Sequence, residues 1–231
     1  MQPTTPAPET QTGIRANESE QNRNPDVLLH EVIQRIGNPR WDLFIVGDGS
    51  GSGWDGAAGW ASTLIDNNQQ QARRFFYGAC NSGSVNFAET MPYLQAMTWY
   101  DAHFGKELLK QKGTLHVCIL TDSQVIANWG NKAATTQARP PRKMRAYWAG
   151  LRDLRMLGYT FQFYWAPRMT TALNWAADLM AGLTRQEVIK AANPEYIRGE
   201  NHAERAAAAV ANLVFYDPET NTPLNPYNVN P

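Results

Sequence analysis

No stretch of the 231-residue chain approaches the ~18–20 consecutive apolar residues that a membrane span requires. The first residues are polar and rich in Pro, Thr and Gln, without the apolar centre of a signal peptide. Cysteine is scarce. Cys80 and Cys118 have no metal-ligand spacing, and both lie in apolar, strand-like segments. That points to reduced core thiols in a cytoplasmic protein rather than to a disulfide framework or a thiolate metal site. Histidine is scarce too: His30, His103, His116 and His202 are the only ones. Net charge is absent, with 21 Lys and Arg against 21 Asp and Glu.

The charge is unevenly spread, however. Residues 37–184 carry 14 basic against 10 acidic side chains, or +4, while the segments before (three against five) and after (four against six) carry −2 each. Six basic residues and one acid fall between Arg139 and Arg155. A local basic patch on a neutral chain suits a polyanion bound at one face, though an ordinary solvated helix explains it as well.

Hydrophobic periodicity divides the chain into four parts. Residues 1–26 read as a disordered tail, and 27–38 as a short accessory helix or linker stopped by Gly37 and Pro39. Residues 39–184 read as one core domain, and 185–231 as a helical extension and tail. The core opens with Trp41–Asp48, a nearly continuous apolar run that suits a strand buried on both faces. Gly49–Gly56 reads as a Gly/Ser turn. Ala58–Ile65 and Ala72–Ala79 read as two more strands joined by Asp66-Asn67-Asn68. A long helix follows over Phe87–Leu109, with Met91, Leu94, Met97 and Phe104 as its apolar positions. Then come a strand at Leu115–Thr121, helices at Ser123–Trp129 and Arg142–Leu157, a strand at Tyr159–Trp165, and a helix at Thr171–Leu183. Trp148 reads as core. Arg185–Ala191 and Asn201–Phe215 also look helical, and Pro218–Pro231 extended or disordered. The order predicts an α/β fold: a mixed five-stranded sheet, three antiparallel strands and then two further strands, with helices on both faces. No internal repeat is present.

Four carboxylates fall at the ends of these elements. Asp48 closes the first apolar run and Asp122 the fourth. Glu89 sits in the first turn of the long helix, and Asp178 in the last helix, four residues after Asn174. Each has an ordinary alternative: a turn former, a helix cap, an acid favouring a helix dipole, an exposed helical residue. If the first and fourth strands are neighbours, however, Asp48 and Asp122 meet at one edge of the sheet. Clustered carboxylates repel by about 4 kcal/mol per pair at 4 Å and an effective dielectric near 20. Such a cluster calls for a cation or shifted pKa values. An all-oxygen ligand set points to Mg²⁺ or Mn²⁺ rather than zinc.

In these segments the sequence resembles type 1 ribonuclease H over roughly Trp41–Leu183. The motifs are Asp48-Gly49-Ser50 followed by a glycine-rich loop, Asn86-Phe87-Ala88-Glu89 opening the long helix, Thr121-Asp122-Ser123-Gln124, and Asn174-Trp175-Ala176-Ala177-Asp178-Leu179. The resemblance implies an endonuclease that hydrolyses the RNA strand of RNA–DNA hybrids. Asp48, Glu89, Asp122 and Asp178 would hold two Mg²⁺ ions, with Mn²⁺ as a substitute. It also implies substrate contacts from Gly49, Ser50, Asn86, Gln124 and Asn174, with helix capping as the alternative for Asn86. Two departures stand out. The loop 166–173, where the family often has a histidine, has none, and Arg168 stands there as a candidate phosphate contact. Residues 130–141 form a short polar loop where some members insert a basic helix. Two other readings stay open: a non-catalytic nucleic-acid-binding domain of the same fold, and another ribonuclease H-like nuclease. A monomer is expected, with the tails available to a protein partner.

Overall fold

A computed structural model describes residues 41–51, 56–69, 72–134, 145–167, 172–192, 215–216 and 223–224. The tail 1–26, the accessory helix and the loop residue Arg168 lie outside the described residues.

Five strands form one sheet: β1 (Leu43–Gly51), β2 (Gly56–Asp66), β3 (Ala72–Gly83), β4 (Leu115–Thr121) and β5 (Tyr159–Trp165), in the spatial order β3-β2-β1-β4-β5. The first three pair antiparallel, while β4 pairs parallel to β1 and β5 parallel to β4. This is the mixed sheet that the order of elements predicts. Both crossovers turn from helix to strand at a glycine with positive φ, Gly113 (76°) and Gly158 (118°), a conformation that only glycine adopts without strain.

The helices are α1 (Val85–Tyr100), α2 (Lys106–Lys112), α3 (Gln124–Ala134), α4 (Arg145–Leu157) and α5 (Ala172–Ala192). Alternation along the strands sends side chains to two cores. Leu43, Ile45, Val117 and Ile119 face one side with Tyr93, Met97, Ile126, Trp148 and Leu151, under α1, α3 and α4. Phe44, Val46, Cys118 and Leu120 face the other with Leu173, Ala176 and Met180 of α5. Each such fully buried side chain contributes about 1.5–3 kcal/mol relative to exposure. Trp148 is core, as its position predicts, and both cysteines are free. Cys118 is buried, whereas Cys80 sits half-buried on the edge strand β3.

Several elements differ from the sequence reading. β1 continues past Asp48 to Gly51, so Gly49 and Gly51, expected to turn, are strand residues, while 52–55 lie outside the described residues. The long helix is three pieces: α1, a π-helical turn over Asp101–Gly105, and α2. A Cβ at Gly105 would lie 1.7 Å from the Tyr159 hydroxyl, which donates to Asp101 Oδ1 (3.0 Å) within the same turn. In α1 the buried stripe is Tyr93, Ala96, Met97 and Tyr100, while Met91 and Leu94 are only half-buried. The helices expected over Thr171–Leu183 and Arg185–Ala191 are one continuous helix, α5. Phe215, the end of a segment that reads as helical, lies instead in a two-residue strand, β6 (Phe215–Tyr216), paired antiparallel with β7 (Pro223–Leu224).

Candidate metal centre

The parallel ladder between β1 and β4 ends at Val46↔Leu120. Beyond that pair the strands part, and two residues further along each stands an aspartate, Asp48 on β1 and Asp122 after β4. The strand continuity of two apolar runs therefore delivers both carboxylates to one fork. Tyr93 fastens the fork from below: its buried hydroxyl donates to the Gly47 carbonyl at 2.8 Å, with the Leu120 carbonyl 3.4 Å away. The Trp165 indole N–H holds the Asp122 carbonyl at 2.9 Å. Ser123 then starts α3, its hydroxyl accepting from the Ile126 N–H.

Glu89 arrives on α1. The cap of that helix is Ser84, whose hydroxyl accepts from the Phe87 N–H (3.2 Å); Asn86 is therefore inside the first turn and not its cap. What brings the helix close is a stripe of three strand glycines. A Cβ on Gly47 would meet Pro92 and Tyr93 at 2.8 and 2.9 Å, one on Gly49 the backbone of Ala88 and Glu89 at 2.2–2.5 Å, and one on Gly51 the backbone of Val85 at 3.1–3.2 Å. No side chain fits between α1 and β1 at Gly49, so main chain lies on main chain and Glu89 is set beside Asp48. The same stripe explains the mistaken turn: alternating glycines read as flexibility when they serve close approach.

Asp48, Glu89 and Asp122 present carboxylate oxygens that all lie within 4.8 Å of one another. Asp48 is 3% exposed and Glu89 7%. Asp178, from the first half of α5, reaches the cluster from the opposite face through a side-chain hydrogen bond with Asp48. Burial pushes the Asp48 carboxyl well above the usual carboxylate range, and the negative charges of Glu89, Asp122 and Asp178 push it further. The Gly49 N–H donates to Asp48 Oδ1 at 2.7 Å. An all-oxygen set of mutually repelling acids, two of them buried, fits a hard divalent cation.

Most of the other residues singled out in the sequence lie on the same elements as these acids. Gly49 and Ser50 follow Asp48 on β1. Asn86 stands one turn before Glu89, and Gln124 is exposed at the start of α3. Asn174 is buried one turn before Asp178. Of the basic patch, Arg145 and Arg152 are exposed on α4 and Arg155 lies 5.6 Å over the Phe161 ring. Arg139, Arg142 and Lys143 lie outside the described residues. Sequence reasoning missed Tyr93, Trp165 and the glycine stripe. The period-2 spacing of Gly47, Gly49 and Gly51 was the available signal for the last.

Neither a protein-family model nor a curated protein matches the sequence. Solved structures do match. LC11-RNase H1, isolated from compost by a metagenomic approach, superposes with a TM-score of 0.51 at 18% identity, covering 65% of this chain and 99% of its own. The same enzyme in complex with an RNA/DNA hybrid gives 0.50 at 18%, covering 64% and 99%. The chain has the ribonuclease H fold. The N-terminal RNase H domain of a Mycobacterium tuberculosis protein is a further similar structure, at a TM-score of 0.49 and 17% identity, with 66% of this chain and 99% of that one covered. In ribonuclease H terms, the strand order and the fork between β1 and β4 account for where the acids meet.

Proposed function

We propose that this protein is a metal-dependent endonuclease that hydrolyses the RNA strand of RNA–DNA hybrids, leaving 5′-phosphate and 3′-hydroxyl ends. The observation that carries this reading is the convergence of Asp48, Glu89 and Asp122 within 4.8 Å, with Asp178 against Asp48. The similar structure of LC11-RNase H1 with an RNA/DNA hybrid supports the choice of substrate.

The four carboxylates would hold two Mg²⁺ ions, with Mn²⁺ able to substitute. Ions held there supply an activated water and neutralise the charge that builds on the scissile phosphate. The chain's part is to keep four acids together despite their repulsion. Asp48, which has the other three as neighbours, would be shared by both ions. Gly49, Ser50, Asn86 and Gln124 flank the cluster and would contact the hybrid, with the RNA strand told from DNA by its 2′-hydroxyls. Asn174 and Arg168 complete the proposed substrate set.

The test is cleavage of a 5′-labelled RNA annealed to DNA, with Mg²⁺, with Mn²⁺ and with EDTA. Single-stranded RNA, duplex RNA and duplex DNA are the controls. Internal cuts confined to the hybrid, lost with EDTA and in Asp48→Asn, are the expected result. Hybrid binding without cleavage under either metal would instead establish a non-catalytic binding domain, the reading that the histidine-free loop 166–173 favours.

A further inference from the structure

The helix that presents Asp178 does not stop where the catalytic fold could end it. α5 runs on through Thr184 to Ala192 and lies along the β1–β2 hairpin. Residues 178, 181 and 185 recur at helical spacing on one face. Asp178 meets Asp48. The Ala181 carbonyl and the Arg185 N–H would lie 2.3 and 2.5 Å from a Cβ on Gly59, so the helix backbone sits directly on β2 at that glycine. Arg185 then donates from Nε to the Ala57 carbonyl at 2.9 Å.

Ala57 is a distinctive place to hold. The β1–β2 register ends at Gly51↔Ala58, and the β2–β3 register jumps from Gly56↔Gly83 to Ala58↔Cys80. Among the described residues Ala57 therefore has no register partner, and it lies opposite an extra residue of β3, between Cys80 and Gly83, where the ladder is interrupted. The one hydrogen bond described for its carbonyl comes from a side chain two helical turns beyond a candidate metal ligand.

We propose that Arg185 is a positioning residue: by gripping the end of β2 that faces the β3 bulge, it fixes the β1–β2 hairpin to α5 and so sets Asp178 against Asp48. This rests on the reading of the four carboxylates as a metal centre. Arg185 acts through the main chain of α5, which carries Asp178, and of β2, which pairs with the strand of Asp48.

The test uses the full chain with Arg185→Ala, Arg185→Lys, and Lys110→Ala as a charge-matched control at an exposed position of α2. Three readouts are needed, all at a temperature where every variant is folded: Mg²⁺ affinity by calorimetry, kcat against hybrid Kd, and amide hydrogen exchange across residues 56–61. For Arg185→Ala, Mg²⁺ affinity falls roughly tenfold, at the low end of what removing an outer-shell support costs. Its kcat falls while hybrid Kd holds, and exchange at 56–61 speeds up. Arg185→Lys, which keeps a donor, recovers part of each loss, and Lys110→Ala matches the parent. Lowered thermal stability with unchanged Mg²⁺ affinity and kcat would overturn the proposal and leave Arg185 a structural contact. Unchanged exchange at 56–61 would overturn it even if the parent bound no metal. Absence of Mg²⁺ binding by the parent would sink the metal-centre reading itself.

Discussion

The two ends of β1 treat the same residue type in opposite ways. Just before the strand, Asp42 accepts from Lys112 Nζ at 2.6 Å through one oxygen and from the His116 N–H at 2.8 Å through the other. Six residues on, about 20 Å along the strand, Asp48 is buried among Glu89, Asp122 and Asp178. At the first end charge is matched and donors are aimed at both oxygens. At the second, burial and like charge both oppose ionisation. An acid that serves the fold gathers cations and N–H groups. Acids that gather one another cost the fold stability, and a ligand is what would offset that cost.

The largest expected effect comes from removing one acid of the unmatched end. Asp48→Asn should lower hybrid cleavage by about 10³-fold or more, because in the proposed reaction several kcal/mol of transition-state stabilisation would depend on the metal it would hold. The same change should raise the melting temperature of the metal-free protein, since it removes a buried repelling charge. A cleavage assay beside a thermal melt in EDTA reads both. A loss of stability in the metal-free melt would erase the contrast between the two ends.

Gly49→Ala should act through position instead of charge. Its new methyl would press on the Ala88 and Glu89 backbone. Overpacking of this kind costs about 1–3 kcal/mol, and it should separate Glu89 from Asp48 and weaken Mg²⁺ binding. Urea denaturation and calorimetry would measure the two parts. At the matched end, Asp42→Ala should cost about 2 kcal/mol through loss of a charged hydrogen-bonded pair. Specific activity of the folded fraction should stay unchanged.

The smallest effect is the pH response of the metal-free protein. Asp48 titrates above its ordinary 3.8 when folded. Below that value both states are protonated and the group contributes nothing to the pH dependence. As pH rises above it, the unfolded chain releases the proton and the folded chain keeps it, so stability falls until the folded group also ionises. Mg²⁺ should reverse this trend and release a proton on binding. Melting curves from pH 4 to 8, with EDTA and with Mg²⁺, should therefore diverge as pH rises. Parallel curves would argue against a buried, uncompensated acid.

Much of this contrast was legible in the sequence. The five strands and their order along the chain followed from apolar runs, two of which end in Asp, and Glu89 was read in the first turn of the long helix. Asp178 followed from the resemblance more than from its surroundings, because one acid in a helix has no pattern of its own. The glycines of β1 were misread, since local propensity cannot tell a turn from a strand pressed against a helix. Ser84 was overlooked as the cap because Asn86, two residues on, is an equally good capping type. The break in the long helix was invisible for a similar reason. The π-helical turn answers to Tyr159, a residue more than fifty positions away.

The glycine stripe has a consequence for heat and for time. Gaps filled by side chains widen and narrow as rotamers hop. Where α1 rests on β1 there are no rotamers on the strand side at Gly47, Gly49 or Gly51, and at Gly49 and Gly51 the helix backbone itself is the nearest neighbour. The spacing between the elements that carry Asp48 and Glu89 should thus behave like a fixed gauge, nearly independent of temperature until the helix itself lifts away. Loss of the centre on warming should be abrupt, arriving with the undocking of α1 rather than by gradual loosening.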